Sequence, residues 1–176
     1  MRIPTKARYG MRAMLDLALN GGEKEPVLMR DIAARQALPE KYLEQVLIPL
    51  RNAGLVRGVR GARGGYRLAR SPREINLLEI LEACMGDVAM VDCTEDPGYC
   101  RRADACATQM VWRELTEAIR GTLRGKTLAD LMEDDIKLKR KRARAGGAKE
   151  IKAEPGRGRR ATRQASTGNP RGRQRE

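Results

Sequence analysis

Pro39–Ala69 reads P-E-K-Y-L-E-Q-V-L-I-P-L-R-N-A-G-L-V-R-G-V-R-G-A-R-G-G-Y-R-L-A, and its two halves obey different periods. In the first half Tyr42, Leu43, Val46, Leu47 and Leu50 recur at helical spacing, which predicts an amphipathic helix with one buried face. Pro39 suits its first position and Gly54 its end. Pro49 lies inside it and predicts a kink or a lost backbone bond. In the second half L-V-R-G-V-R and Y-R-L-A are short strands around the turn G-A-R-G-G. Gly61, Gly64 and Gly65 are expected to supply the positive φ of a tight hairpin.

Leu28–Ala37 predicts a shorter helix just upstream, with Ile32 and Ala33 inward. Two short helices joined by a tight turn form a helix-turn-helix whose second member enters the major groove. The hairpin that follows makes this a winged helix. Arg57, Arg60, Arg63, Arg67 and Arg70 fall within 14 residues with no acid among them. Such a wing suits phosphates or the narrow minor groove. The residues expected to touch double-stranded DNA are Glu40, Lys41, Tyr42, Glu44, Gln45, Arg60 and Arg63. Glu44 can accept from a cytosine amino group and Gln45 suits adenine, whereas Tyr42 shares its face with core leucines.

Ala7–Asn20 predicts another helix, through Tyr9, Met11, Ala13, Met14, Leu17 and Ala18, ended by Gly21-Gly22. With aromatics at 3% and no Phe, the core must come from Leu, Ile, Val, Met and Ala. The fold class expected is mainly α with a small β-hairpin wing, plus a long dimerisation helix.

Charge divides the 176 residues into three segments. Residues 1–75, the winged helix-turn-helix domain, carry 15 Lys+Arg against 7 Asp+Glu, a nucleic-acid footprint. Residues 76–136 carry 6 against 13, and residues 137–176 carry 15 against 3. The last segment is expected to be a basic disordered tail, beginning after a short helix that Thr127 opens with a capping box and that ends near Asp135. Its functional reading is non-specific phosphate contact.

The acidic middle segment holds D-C-T-E-D-P-G-Y-C-R-R-A-D-A-C, residues 92–106, with thiols at Cys93, Cys100 and Cys106. Pro97, Gly98 and the polar residues make it a loop, and thiolates suit iron–sulfur clusters, zinc or copper(I). The spacing is not that of a zinc ribbon, and the chain has no His. An iron–sulfur cluster with a fourth ligand of another kind, or a thiol redox sensor, remains. Cys84 lies on the apolar side of a helix over residues 75–85 and is expected to be a buried small hydrophobe. Ala107–Arg124 predicts a long helix whose stripe Val111, Leu115, Ala118, Ile119, Thr122 and Leu123 needs a partner, either a second copy in a two-fold homodimer or the chain's own core.

No apolar run is long enough for a membrane span. The first ten residues lack the stretch of a secretory signal, so a cytoplasmic, reducing compartment is expected. No Ser nucleophile elbow, phosphate loop or other catalytic constellation is present, and an enzyme is not expected.

The chain resembles the IscR-type (BadM) regulators, bacterial winged-helix dimers of which several carry an iron–sulfur cluster. The resemblance rests on K-A-R-Y-G, Y-L-E-Q, L-R-N-A-G-L-V, V-R-G-A-R-G-G-Y-R-L, the three spaced cysteines, W-R-E-L-T and T-L-A-D-L, and covers about residues 1–135. It is nearer to IscR than to the nitric-oxide sensor NsrR. It implies a two-iron or four-iron cluster on Cys93, Cys100 and Cys106, and a pseudo-palindromic promoter site bound by a homodimer. The family's fourth ligand does not carry over. Gln109 stands at the His position of IscR-like proteins and Arg8 at the Asp position of NsrR-like ones. Gln109, Asp92, Glu95, Asp104 or a small molecule are the candidates left. A regulator sensing iron–sulfur or redox status is therefore expected. The alternatives are a cluster-free regulator answering thiol oxidation, a metabolite or a partner protein and, from another class, an electron-transfer or cluster-delivery protein.

Overall fold

The computed structural model describes residues 3–61, 64–96, 98–102 and 105–145. Six helices and one hairpin follow in the order α1 (Thr5–Leu19), α2 (Met29–Gln36), α3 (Glu40–Asn52), β1 (Val56–Val59), β2 (Gly65–Leu68), α4 (Leu77–Met85), α5 (Ala107–Arg124) and α6 (Leu128–Arg144).

The first helix is the central post. It packs against α2, α3, α4 and α6, and Ala7, Ala13, Met14 and Leu17 are fully enclosed. Gly10 sets the closest approach: a Cβ there would lie 2.4 Å from the Cys84 sulfur, so α1 and α4 meet only because this side chain is missing. Leu43, Val46, Leu47 and Leu50 of α3 fill the space behind, with Ile32, Leu55, Ile75 and Ile80. Phe is absent, and this aliphatic set closes without it.

The helix-turn-helix and the wing are one unit. Ala37, in the left-handed region at φ 52°, ends α2 and turns the chain into α3. The strands pair antiparallel, Val56 opposite Leu68 and Val59 opposite Gly65. Val27, just before α2, exchanges two backbone bonds with Tyr66 at 2.8 and 2.9 Å, which fastens the wing to the helical body. Gly65 is needed for that contact, since a Cβ would sit 2.3 Å from the Val27 carbonyl oxygen. The expected positive φ is found at Gly61 and Gly65 but not at Gly64. Gly64 is small for another reason: a Cβ would meet the Val59 carbonyl at 2.3 Å.

Beyond the wing, Asn76 opens α4 with a capping box to Glu79. The start of α6 is clamped to the start of α4: Leu77 N donates to Lys126 O at 2.9 Å, and Leu128 N to Ile75 O at 2.8 Å. Thr127 and Asp130 form the expected capping box. The helix does not stop near Asp135, however, but runs to Arg144. Its last turns are built of Lys, Arg, Leu and Ala, good helix formers, with cations at the end that favours them. Lys137 also reaches Glu133 at 3.6 Å, an i,i+4 pair. The rest of the expected tail, residues 146–176, lies outside the described residues.

Candidate nucleic-acid interface and cysteine connector

The exposed side of α3 carries Glu40, Lys41, Glu44, Gln45 and Ile48. Ile48 was not anticipated. It is 42% exposed, four residues after Glu44 and off the Leu43/Val46/Leu47/Leu50 stripe, and that offset was the available signal. Tyr42 is half buried, its ring edge-on to Tyr9 at 5.8 Å, and burial pushes its phenol up. It belongs mainly to the packing of α3 on α1.

The helix-turn-helix is held to α1 by a polar cluster that sequence patterning did not reveal. Asp16, 4% exposed, accepts two prongs from Arg35 at 2.7–3.1 Å and a bond from Gln36 Nε2 at 2.8 Å. Arg12 donates in turn to the Gln36 side chain and backbone at 2.9 and 3.1 Å. A buried charge with several donors is specific about geometry, so α2 cannot roll on α1.

On the wing, Arg57 and Arg60 are exposed and Arg67 is half exposed. Arg57 and Arg67 are directly opposite across the strands, a like-charge pairing that disfavours the free hairpin and is relieved by an anion. Arg70 is not part of that field: its guanidinium pairs with Glu79 of α4. Arg63 lies outside the described residues.

The connector from Gly86 to Cys106 leaves α4, makes a short 3-10 turn at Asp92–Thr94 and enters α5. Cys93, Cys100 and Cys106 are half buried and in no disulfide. Cys106 caps α5. Its sulfur lies 3.1 Å from Thr108 Oγ1, and that hydrogen bond, helped by the Gln109 amide, lowers the thiol's pKa. Cys84 is the opposite case, buried against Gly10 and pushed up by burial. A thiol of that kind is inert, whereas a thiolate at a helix start is the reactive and ligating kind.

One edge of α5 faces the connector with polar side chains. Gln109, 6% exposed, donates from Nε2 to the Cys93 carbonyl at 2.7 Å and accepts from Arg113 at 3.2 Å. Thr116, 2% exposed, accepts from Met90 N at 3.1 Å. Arg120 pairs with Glu95 at 3.0 Å. Two of the suggested fourth ligands, Gln109 and Glu95, are thus already engaged, and Asp104 lies outside the described residues. The donor chemistry suits an iron–sulfur cluster. The arrangement does not yet assemble one: no three His, Cys, Asp or Glu side chains converge into a metal-holding group among the described residues.

Of the stripe on α5, Ile119 and Leu123 pack partly against the core, so the intramolecular alternative holds for that end. They line an apolar groove of about 600 Å³ with Ile3, Met11 and Leu81. The other end is bare: Met110, Val111, Trp112 and Leu115 are 71, 51, 37 and 43% exposed. No described helix is long and apolar enough to cross a membrane.

Compared with known proteins, residues 3–134 match the family model described as "Rrf2: Iron-dependent Transcriptional regulator". Protein rrf2 of Nitratidesulfovibrio vulgaris is 40% identical over 134 residues, covering 76% of this chain and 89% of that protein. The solved structure of T. potens IscR is 39% identical, covers 77% of this chain and 88% of that one, and superposes with a TM-score of 0.62. That of CymR, the global cysteine regulator of B. subtilis, is 36% identical, covers 76% and 97%, and has a TM-score of 0.63.

Proposed function

The chain belongs to the Rrf2 family of transcriptional regulators, which are not enzymes, and from that premise we propose that it binds a pseudo-palindromic promoter site in double-stranded DNA as a homodimer and senses iron–sulfur or redox status through Cys93, Cys100 and Cys106. The observation that carries the sensing part is the position of the three free thiols. They lie on the connector between α4, which belongs to the DNA-binding body, and the start of α5, whose apolar residues are exposed while its end packs on the core. A change in the connector's shape therefore changes how α5 is carried by the winged helix. An effector acts only through its differential affinity for the two shapes.

The homodimer rests on α5. Bare apolar residues at its start and an apolar groove beside its end are complementary features on one helix. A two-fold axis places each against the other's counterpart. Two winged helices then face one duplex, with α3 in the major groove. Glu40, Glu44 and Gln45 face base edges, Lys41 reaches a base edge or a phosphate, Ile48 suits a thymine methyl, and Arg60 and Arg63 serve the wing.

The cysteines would hold a two-iron or four-iron cluster, whose oxidation or loss supplies the signal. Cluster binding requires the connector to draw the three sulfurs together. A second reading, cluster-free sensing by thiol oxidation, is favoured by the lowered Cys106 thiol and by the ungathered sulfurs. The test is anaerobic purification with iron and sulfide counts and an absorption spectrum, repeated on Cys100→Ala, with promoter-fragment binding before and after oxidation. Coloured wild-type protein, bleached in Cys100→Ala and altered in DNA affinity by oxidant, is the expected outcome. Colourless, iron-free protein whose DNA affinity still responds to oxidant selects the thiol reading. Indifference to oxidant sinks both.

A further inference from the structure

The two arms of the cysteine connector are held very differently. The first arm, Met90 to Glu95, is fixed to α5 at three levels: Thr116 takes the Met90 amide, Gln109 holds the Cys93 carbonyl, and Arg120 grips Glu95. These side chains, with Arg113 bracing Gln109, recur at positions 109, 113, 116 and 120 and so form one helical edge. Gln109 and Thr116 are the only residues of α5 that are buried. Between Gly98 and Arg102 the described residues of the second arm make no such bond to α5, although the Cys106 sulfur at its end lies 3.1 Å from Thr108 Oγ1. Among the described residues Gly98 N donates to Asp96 Oδ1 at 2.8 Å, Tyr99 N to Asp96 O at 3.1 Å, and Ala105 N to Arg102 O at 3.1 Å, bonds of the connector to itself.

We propose that Gln109, Thr116 and Arg120 are positioning residues that dock Cys93 on α5 before any cluster or oxidant arrives, that Gln109 is a latch on the Cys93 backbone and not a metal ligand, and that Cys100 is the sulfur that travels. The consequence for signalling rests on the sensing role of the three thiols; the docking itself does not. A carboxamide enclosed to 6% exposure has its NH2 on the Cys93 carbonyl and its oxygen on Arg113, so serving as a ligand would require it to give up the bonds it already makes. Turning it toward iron would leave the half-buried Cys93 carbonyl without its donor, a cost the present arrangement avoids, while the exposed Arg113 would pass to water. The fixed arm supplies the reference point, and closure on a cluster is made by moving the stretch around Cys100, whose described hydrogen bonds run to the connector itself.

The test uses full-length, metal-free, reduced protein, with alkylation of each cysteine followed by mass spectrometry and amide exchange over residues 88–95. In the wild type Cys100 is expected to react faster than Cys93. Gln109→Met keeps the side-chain length and removes the bond to Cys93. Cys93 alkylation should then rise about 10-fold, the equivalent of one buried hydrogen bond, with Cys100 and Cys84 within about twofold. Gln109→Glu, which keeps an acceptor for Arg113 but cannot donate to the carbonyl, should behave like Gln109→Met. Thr116→Val, on a separate contact, should raise exchange at the Met90 amide and serves if the Gln109 variants fail to fold. After anaerobic reconstitution Gln109→Met should keep the wild-type spectrum. Unchanged Cys93 reactivity and Met90 exchange would overturn the docking. An altered spectrum or iron count with Cys93 reactivity unchanged would make Gln109 a ligand. Wild-type protein that takes up no iron would fail the cluster reading while leaving the reduced-state comparison decisive for docking.

Discussion

Gly10→Ala tests the packing on which the whole body stands. The new Cβ would lie 2.4 Å from the Cys84 sulfur and 3.7 Å from the Cys84 Cβ. Non-bonded heavy atoms settle near 3.5–4.0 Å, so the helices must part by roughly 1 Å or the sulfur must leave its rotamer. Overpacking of this size costs about 1–3 kcal/mol. Replacing a helical glycine by alanine returns about 1 kcal/mol, which leaves a net loss of about 0–2 kcal/mol. Cys84→Ala alone loses a buried sulfur, about 1 kcal/mol by analogy with one buried methylene. In the double variant the alanine methyl occupies the space the sulfur left. The double variant should therefore be more stable than the two single losses predict, by a coupling of about 1–3 kcal/mol. Urea unfolding followed by circular dichroism on all four proteins measures the cycle, and promoter binding confirms that the folded double variant is native. Because Cys84 is read as a core residue, the double variant should also keep whatever iron the wild type binds. Additivity within about 0.5 kcal/mol would refute the close approach of α1 and α4, and loss of iron would return Cys84 to the ligand set.

Other perturbations separate the fold from the site. Arg35→Ala leaves the Asp16 carboxylate, 3% exposed, with Gln36 and Asn20 for donors. Arg35 itself is 38% exposed and water can replace part of it, so the loss should be about 1–3 kcal/mol in urea unfolding, short of a fully buried pair. Thr127→Ala removes the α6 cap at about 1 kcal/mol. Bonds from Thr127 hold the Asp130 carboxyl below its ordinary value of 3.8. Its contribution is therefore complete above that value and lost as pH falls through the lower, folded one. Thr127→Ala should flatten the acid limb of stability against pH, and an unchanged limb would remove the cap from the account. Arg60→Ala should weaken specific and random duplex alike and lower the salt slope by about 1. Gln45→Ala should instead cost about 1–3 kcal/mol on the cognate site alone.

Much of the architecture was legible because the decisive signals are local. The period of Leu43, Val46, Leu47 and Leu50, the glycines of the wing and the Thr127–Asp130 box each act within a few residues, and α5 was placed to the residue. Two failures have a common cause. The loss of large apolar side chains after Asp135 reads as a helix end, yet a charged sequence of good helix formers continues a helix once a cap and a buried first turn have nucleated it. Arg70 reads as a wing cation because its partner Glu79 is nine residues away and on another element. Charge counted along the chain does not show which charges neutralise each other in space.

The same limit governs the cysteine connector, where it matters most for function. Pro97, Gly98 and the polar run announce a loop, and the three sulfurs announce soft-ligand chemistry. Neither signal says where the loop lies. The position of its first arm, Met90 to Glu95, is held by Thr116, Gln109 and Arg120, three polar residues spaced along a helix whose apolar stripe dominates the sequence pattern. Gln109 could be matched to a ligand position only by register with a family. The physical content of that residue, a carboxamide whose two ends are occupied by Cys93 and Arg113, appears only when the chain from residue 93 is brought back against α5. A substitution at a ligand position therefore need not leave a vacant coordination site. Here the side chain holds the Cys93 end of the connector, and on the proposed sensing role that held end is the reference against which the Cys100 end would move.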